Sequence, residues 1–494
     1  MNYGQLYING DWRQGTGGKL ESRNPVNHDI ILSGNSASTS DVEQAIDAAS
    51  NAFRDWALTS VQNRIEILKS YQKALQDASD ELAHLISSET GKVLWEAKTE
   101  VGTMVGKIDL SIKAYNDRTG TKSSENSGVI SHLTHKPHGV LAVFGPFNFP
   151  GHLPNGHIVP ALLAGNTIIF KPSEQTPAVG EYMVRLWEKA GLPTGVLNLV
   201  QGSRECGIAL STSDKLDGLL FTGSSHTGNL LHSEFAGQPE KILALEMGGN
   251  NPLIISEVDD IPGAVYHCLQ SAYITAGQRC TCARRLILPA TSNREKFLKT
   301  LISAAKTIKV GPQENNEEPF YGSVISNEAA DRLLEAQASL IDQGAKPLLT
   351  MQRIHANLPF LSPGILDVSD IENLPDEEYF GPLLQVIKTQ SFEDSIEIAN
   401  KTRFGLSAGL FSDDAEEFAT FHALIKAGIV NWNRPLTGAS GASLLEGLVP
   451  VEITGPVPIM PLIIALIQSH PCKHHKQTYL KLYCLELNFD ASRI

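Results

Sequence analysis

Apolar positions recur along this chain with two periods, and the change from one to the other divides it. Near the start, Leu6-Tyr7-Ile8 and Trp12 flank Asn9-Gly10, a dipeptide suited to a tight turn, so Leu6 to Pro25 reads as a short hairpin. Val42, Ala45, Ile46, Ala49 and Phe53 then fall on one helical face, which predicts an amphipathic helix over Asp41 to Trp56 with Ser40 as its N-cap. Helical period continues from Arg64 to Thr90 through Ile65, Leu68, Tyr71, Leu75, Leu82 and Ile86, and Gly91 is the stop signal. From Val129 to Pro137 the pattern alternates as in a strand. Short apolar runs follow at Val140–Phe144, Thr167–Phe170, Leu197–Val200 and Gly218–Phe221, each separated from the next by helix-length sequence. Strand, helix, strand repeated in this way predicts a doubly wound parallel α/β domain. A second α/β region carries strand candidates at Pro252–Ile255, Arg285–Leu288 and Leu384–Ile387, with helical stretches at Asn293–Ile308 and Glu393–Asn400. The chain shows no repeat unit and no low-complexity linker.

Composition narrows the class without changing this picture. At 494 residues the chain can bury more than one core, and 42% hydrophobic with 19% charged residues describes an ordinary globular protein. The net charge of −14, with no dense run of Lys or Arg, argues against a nucleic-acid partner. Six cysteines without a disulfide-like spacing fit a reducing, cytoplasmic setting, and Met1 to Gln5 lacks the features of a signal peptide. Pro456 to Ile467 is apolar but too short and proline-broken to span a bilayer, so no membrane association is expected.

Four stretches carry chemistry. Cys280 lies behind a Gly-Gln-Arg turn in Ile274-Thr275-Ala276-Gly277-Gln278-Arg279-Cys280-Thr281-Cys282, and Glu246 lies in Leu245-Glu246-Met247-Gly248-Gly249-Asn250. A thiol and a separate carboxylate on glycine-hinged backbone are what thioester chemistry requires: sulfur attacks a carbonyl, and the carboxylate later activates water. Arg279 and backbone donors are expected to lower the thiol pKa. The ordinary reading of Cys280 is a buried structural thiol. Two thiols without a nearby histidine make a poor zinc set, which leaves Cys282 as a neighbour. The run Gly218–Phe221 leads into Thr222-Gly223-Ser224-Ser225-His226-Thr227-Gly228, where a glycine turn before a helix would present N–H groups to a pyrophosphate. Alone, this two-glycine pattern reads equally well as a plain turn. At the end of another strand candidate, Lys171 and Glu174 are either a solvated strand end or the groups that hold an adenosine ribose; an acid there would repel a 2′-phosphate and favour NAD over NADP.

Taken together, Cys280 and Glu246 with their spacing and flanking glycines resemble the aldehyde dehydrogenase superfamily, over about Leu6 to Ala442. The resemblance implies a Rossmann-type cofactor domain, an α/β catalytic domain and a small β oligomerisation extension. It divides the chain into 1–124 and 147–247 for cofactor binding, 125–146 for oligomerisation strands, 248–442 for catalysis and 443–494 as a tail. Further roles follow from the resemblance alone. Cys280 is the nucleophile and Glu246 the base. Asn148, in Phe144-Gly145-Pro146-Phe147-Asn148-Phe149-Pro150, joins the Cys280 N–H in an oxyanion hole. Gly223, Ser224, Ser225, His226, Thr227 and Gly228 form the family's Gly-Ser-x-x-x-Gly cofactor turn. Glu378 and Phe380, in Glu377-Glu378-Tyr379-Phe380-Gly381-Pro382, hold the nicotinamide ribose and back the ring. A homo-oligomer and a small-molecule semialdehyde substrate are implied as well.

Within the superfamily, Phe149–Pro160, Ala276–Arg285 and Val430–Gly438 resemble the bacterial branch that oxidises N-succinylglutamate 5-semialdehyde in arginine catabolism. Such a substrate carries two carboxylates besides its aldehyde, which makes Arg279, His152, His157 and Arg434 candidates to bind them. Alternatives are a semialdehyde dehydrogenase of glutamate or succinate type, and a cofactor-binding relative that has lost catalysis; the presence of both Cys280 and Glu246 speaks against such a loss.

After Gly441-Ala442 the sequence leaves the family pattern. Back-translated from Leu445 and read one base earlier, it yields Phe-Gly-Gly-Ser-Gly-Ala-Ser-Gly-Asn-His-Arg-Pro. The same shift continued through Ile467 yields Ser-Ala-Tyr-Tyr-Ala-Ala-Asp-Tyr-Cys-Ala-Tyr-Pro, a family-like ending. The reading is a frameshift near Ser443. A tail not selected for this fold is expected to leave a strand edge and apolar surface uncovered, weakening assembly, solubility and activity.

Overall fold

The computed structural model describes residues 3–126, 129–312 and 318–437. The expectations for the tail from Ser443 onward lie outside the described residues. Two seven-stranded sheets dominate the fold. The first runs in the order Ile242–Met247, Gly218–Gly223, Val140–Phe144, Thr167–Lys171, Leu197–Leu199, Leu6–Ile8, Asp11–Arg13. Its first five strands are parallel, and the amino-terminal hairpin closes the far edge antiparallel. That hairpin turns where expected, because Asn9 and Gly10 both take positive φ (53° and 90°), as a type I′ turn needs.

The parallel strands stand in a 3-2-1-4-5 order, so the chain reverses its direction of travel between Val140–Phe144 and Gly218–Gly223. In doubly wound sheets ligands bind beyond the carboxyl ends of the two strands at this switch. The segments leaving those ends begin Gly145-Pro146-Phe147-Asn148 and Ser224-Ser225.

The second sheet runs in the order Lys346–Leu349, Gly364–Asp367, Leu383–Lys388, Ala283–Leu288, Asn251–Ile255, Ser407–Phe411, Ile429–Trp432, all parallel except the first. Its central strands are buried along their length, which is why they read as apolar runs. Only Gly248, Gly249 and Asn250 separate the edge strand Ile242–Met247 of the first sheet from the central strand Asn251–Ile255 of the second. This short crossing brings the carboxyl ends of one sheet against the amino ends of the other.

Three expectations about helices are corrected. The first helix spans Thr39–Leu58 and is capped by Ser38, not Ser40: Ser38 Oγ accepts the Asp41 N–H while the Asp41 carboxylate accepts the Ser38 N–H. The stretch from Arg64 to Thr90 is two helices, Val61–Asp77 and Ser79–Thr90, broken at Ala78 and ended by Gly91 in the left-handed conformation. A 25-residue helix, Leu94–Arg118, was not anticipated. It buries Glu96, Glu100 and Lys107. The strand expected over Val129–Pro137 ends at Leu133 and pairs only with Lys122–Asn126, forming an exposed ribbon apart from both sheets. No helix among the described residues is long and apolar enough to cross a membrane.

Candidate active site

The segment before Cys280 is held in a conformation it would not adopt alone. Thr275, Ala276 and Gly277 take consecutive left-handed backbone angles (φ 57°, 52° and 71°). For a β-branched threonine this conformation costs on the order of 1–2 kcal/mol. Side chains from distant elements offset the cost. Thr275 Oγ1 donates to Glu96 Oε1 at 2.6 Å and accepts from Arg279 Nε at 2.8 Å. Arg284, fully buried, donates to the carbonyls of Gly277 (2.6 Å) and Arg279 (2.9 Å). Asn251 Nδ2 donates to the carbonyls of Cys280 (2.6 Å) and Cys282 (2.8 Å). The Ile325 N–H donates to Gln278 Oε1 at 3.0 Å. The loop is a preorganised platform, and Cys280 on it is half-buried while Cys282 is fully buried.

Asn148 belongs to the same platform: its Nδ2 donates to the Gln278 carbonyl at 3.0 Å. Glu246, at the end of the edge strand, is buried and close enough to bear on the Cys280 thiol. The three residues therefore meet at the junction of the sheets, brought by the switch point, the crossing strand and the turn before Ala283–Leu288.

The electrostatics overturn one expectation. The Cys280 thiol is pushed up to about 12, first by burial and then by the carboxylates of Glu378 and Glu246, with Arg284 opposing. Arg279 does not lower it. Its guanidinium turns away to Glu96 (3.2 Å) and lies over the Phe149 ring, where Lys92 covers the other contact at 3.7 Å. In this arrangement Cys280 is a neutral thiol that needs a base to become a nucleophile.

A dinucleotide fits the residues present. The helix Ser225–Glu234 begins at the carboxyl end of Gly218–Gly223, with Ser224 as N-cap accepting the Thr227 N–H at 3.2 Å. A Cβ at Gly228 would overlap Met247 Sδ, so glycine sets how closely helix and edge strand pack. The Ser225 hydroxyl is buried without a hydrogen-bond partner among the described residues, while His226 and Thr227 are exposed. Lys171 is buried at the end of Thr167–Lys171, and Glu174 beside it is half exposed, 3.8 Å from the ammonium. Glu378 takes the Gly249 N–H and faces Arg284 at 3.5 Å; burial raises its pKa, against the pull of Arg284. A Cβ on Gly248 would overlap Glu378 Oε2. Phe380 packs edge-on against Phe147 with ring centres 5.9 Å apart.

The four candidates for substrate carboxylates separate. Arg279 is engaged with Glu96. Arg434 is exposed on the segment after the last described strand. On the helix His152–Ala164, His152 is half-buried and His157 buried, each with its Nδ1 lacking a hydrogen-bond partner among the described residues; His157 Nε2 meets Thr222 Oγ1 at 3.0 Å. Three residues of the site escaped the sequence reading: Glu96, Arg284 and Lys107. Glu96 and Lys107 belong to the helix that was not foreseen. Arg284 lay just outside the strand expected over Arg285–Leu288, which in fact begins at Ala283.

Comparison with known proteins agrees with this geometry. The pattern of the aldehyde dehydrogenase family matches residues 12–447. The chain is 54% identical over 442 residues to the N-succinylglutamate 5-semialdehyde dehydrogenase of Hahella chejuensis, covering 90% of each chain. It is equally similar, at 54%, to the same-named protein of Ectopseudomonas mendocina, covering 90% of this chain and 91% of that one. Among solved structures, an aldehyde dehydrogenase from Brucella melitensis biovar abortus 2308 superposes with a TM-score of 0.82 at 32% identity, over 88% of this chain and 90% of that one. An NAD complex from Sinorhizobium meliloti 1021 does so at 0.83 and 26% identity, over 89% and 91%. The fold, the loop that carries Cys280 and these matches agree: the chain belongs to the aldehyde dehydrogenase family.

Proposed function

We propose that this protein oxidises N-succinyl-L-glutamate 5-semialdehyde to N-succinyl-L-glutamate with NAD, through a thioester on Cys280, in arginine catabolism. The observation that carries the reading is the meeting of Cys280, Glu246 and Asn148 at the sheet junction, in a chain 54% identical to relatives that bear this substrate in their name.

Glu246 is the base that takes the thiol proton, since burial and neighbouring carboxylates hold Cys280 neutral. The sulfur then adds to the aldehyde carbon. The oxygen that gains charge is held by the Cys280 N–H and the Asn148 amide, which has a second N–H besides the one given to Gln278. NAD, when bound, would supply the hydride acceptor; Gly223, Ser224, Ser225, His226, Thr227, Gly228, Lys171 and Glu174 would hold its adenosine side and Glu378 and Phe380 its nicotinamide side. Loss of hydride leaves the acyl group on sulfur. After passing the thiol proton on to solvent, Glu246 removes a proton from water, which attacks the thioester, expels the Cys280 thiolate and releases the acid. The acidic Glu174 favours NAD over NADP.

The exposed ribbon Lys122–Asn126 and Val129–Leu133, with Val129, Ile130 and Leu133 more than half exposed, is the natural oligomerisation element. Purified protein should form NADH with the succinylated semialdehyde, and Cys280→Ala should not. Equal rates from both proteins would end the proposal.

A further inference from the structure

Three buried ionisable groups of the helix Leu94–Arg118 and its surroundings, and the half-buried Arg279, are balanced in pairs. Lys92 meets Glu100 at 2.6 Å, and Arg279 meets Glu96 at 3.2 Å. Lys107, on the same helix and 2% exposed, is different. Among the described residues its ammonium has no hydrogen bond and no carboxylate within 4 Å. Glu246 lies within electrostatic reach but not in contact. An ammonium at the end of a buried stem with no carboxylate beside it is poorly compensated, and such a group is retained where something recovers the cost.

A second observation comes from the helix His152–Ala164, packed against the first. Within its first two turns, His152 Nδ1, Asn155 Oδ1 and His157 Nδ1 are all buried atoms without hydrogen-bond partners among the described residues. Both histidines are held neutral, to about 3, first by burial and next by Lys107 itself. One cation within reach of Glu246 and three unsatisfied polar atoms on the adjoining helix are the lining of a polar ligand site rather than of a core.

We infer that Lys107 binds a carboxylate of the substrate, with His152 and His157 as neutral hydrogen-bonding partners, and so selects carboxylate-bearing aldehydes. The inference rests on the proposed function, whose substrate carries the required groups. It also separates the tasks of the cations: Arg279 shapes the Cys280 loop, and Lys107 reads the substrate.

The test compares wild type, Lys107→Met and Lys107→Arg with N-succinylglutamate 5-semialdehyde, and with the matched pair succinate semialdehyde and butanal. A hydrogen bond to a charged group corresponds to roughly 10–100-fold. Lys107→Met should therefore lose about 10–100-fold in kcat/KM on both carboxylate-bearing aldehydes and under about threefold on butanal. Lys107→Arg should recover most of the loss. Titration calorimetry with N-succinylglutamate reads the same contact without turnover and should show a similar weakening in the Met variant. Thermal unfolding checks that the variants fold. An equal loss on butanal would overturn the inference and make Lys107 a positioning residue for Glu246. Unchanged selectivity and unchanged binding would overturn it outright. If wild type oxidises succinate semialdehyde but not the succinylated compound, the substrate reading fails instead, and the succinate semialdehyde to butanal ratio still decides Lys107.

Discussion

Replacing Arg284 with methionine tests whether the Cys280 loop is preorganised by one buried guanidinium. Arg284 spans two carbonyls of the loop, Gly277 at 2.6 Å and Arg279 at 2.9 Å, and is the cation that opposes the rise in the thiol pKa. Each charge-assisted bond is worth about 1.5–3 kcal/mol, so about 3–6 kcal/mol is lost in gross terms. Methionine has no desolvation cost, which returns part of this and leaves a net loss of about 2–4 kcal/mol. If the loss falls on loop organisation, kcat/KM drops roughly 30–1000-fold. Arg284→Lys separates charge from geometry, since an ammonium cannot span two carbonyls as the planar fork does. The lysine variant should keep a near-native rate of Cys280 alkylation by iodoacetamide while losing turnover; the methionine variant should lose both. Turnover of Arg284→Met within threefold of wild type would refute the reasoning.

Other consequences are simpler to state. Because the thiol is raised to about 12, Cys280 alkylation in the unliganded protein should climb about tenfold per pH unit from pH 7 to 10 without a plateau; a plateau near pH 8 would show a thiolate already present. Gly248→Ala would press a Cβ into Glu378 and should raise the KM for NAD at least about tenfold, with little change in affinity for the acid product; an unchanged KM would remove Glu378 from the cofactor site. In Glu246→Gln, enzyme acylated by other means, as by an activated ester of the product, should release acid at least about 100-fold more slowly than wild type; normal release would assign the water-activating role elsewhere. The chain with a repaired C-terminal frame should assemble and turn over better than this one, measured by light scattering and NADH formation. Equal behaviour would make the tail dispensable.

The sequence made parts of this molecule legible for identifiable reasons. Central strands such as Val140–Phe144 and Asn251–Ile255 are buried on both faces and stand out as apolar runs. Asn9-Gly10 marked its turn because few other dipeptides accept two positive φ angles. Cys280, Glu246 and Asn148 were found through motif resemblance, and the fold brings them together. The helix Leu94–Arg118 was missed because its buried face carries Glu96, Glu100 and Lys107, and a pattern that equates charge with solvent cannot see it. The break at Ala78 was invisible for the opposite reason: both flanking segments keep helical period and alanine gives no stop signal. Arg279 was assigned to the thiol because it is adjacent in sequence, yet adjacency does not set direction, and Glu96 draws the guanidinium away.

The central claim is a covalent one, and a covalent test reaches it most directly. Glu246→Gln, incubated with an activated ester of N-succinylglutamate at about pH 10, where hydroxide replaces the missing base and ionises part of the thiol, then quenched in acid and digested, should yield the peptide containing Cys280 with one N-succinylglutamyl group added. Cys280→Ala carrying the same second substitution should yield none. An unmodified Cys280 peptide, or the adduct on Cys206, Cys268 or Cys282 instead, would contradict the account.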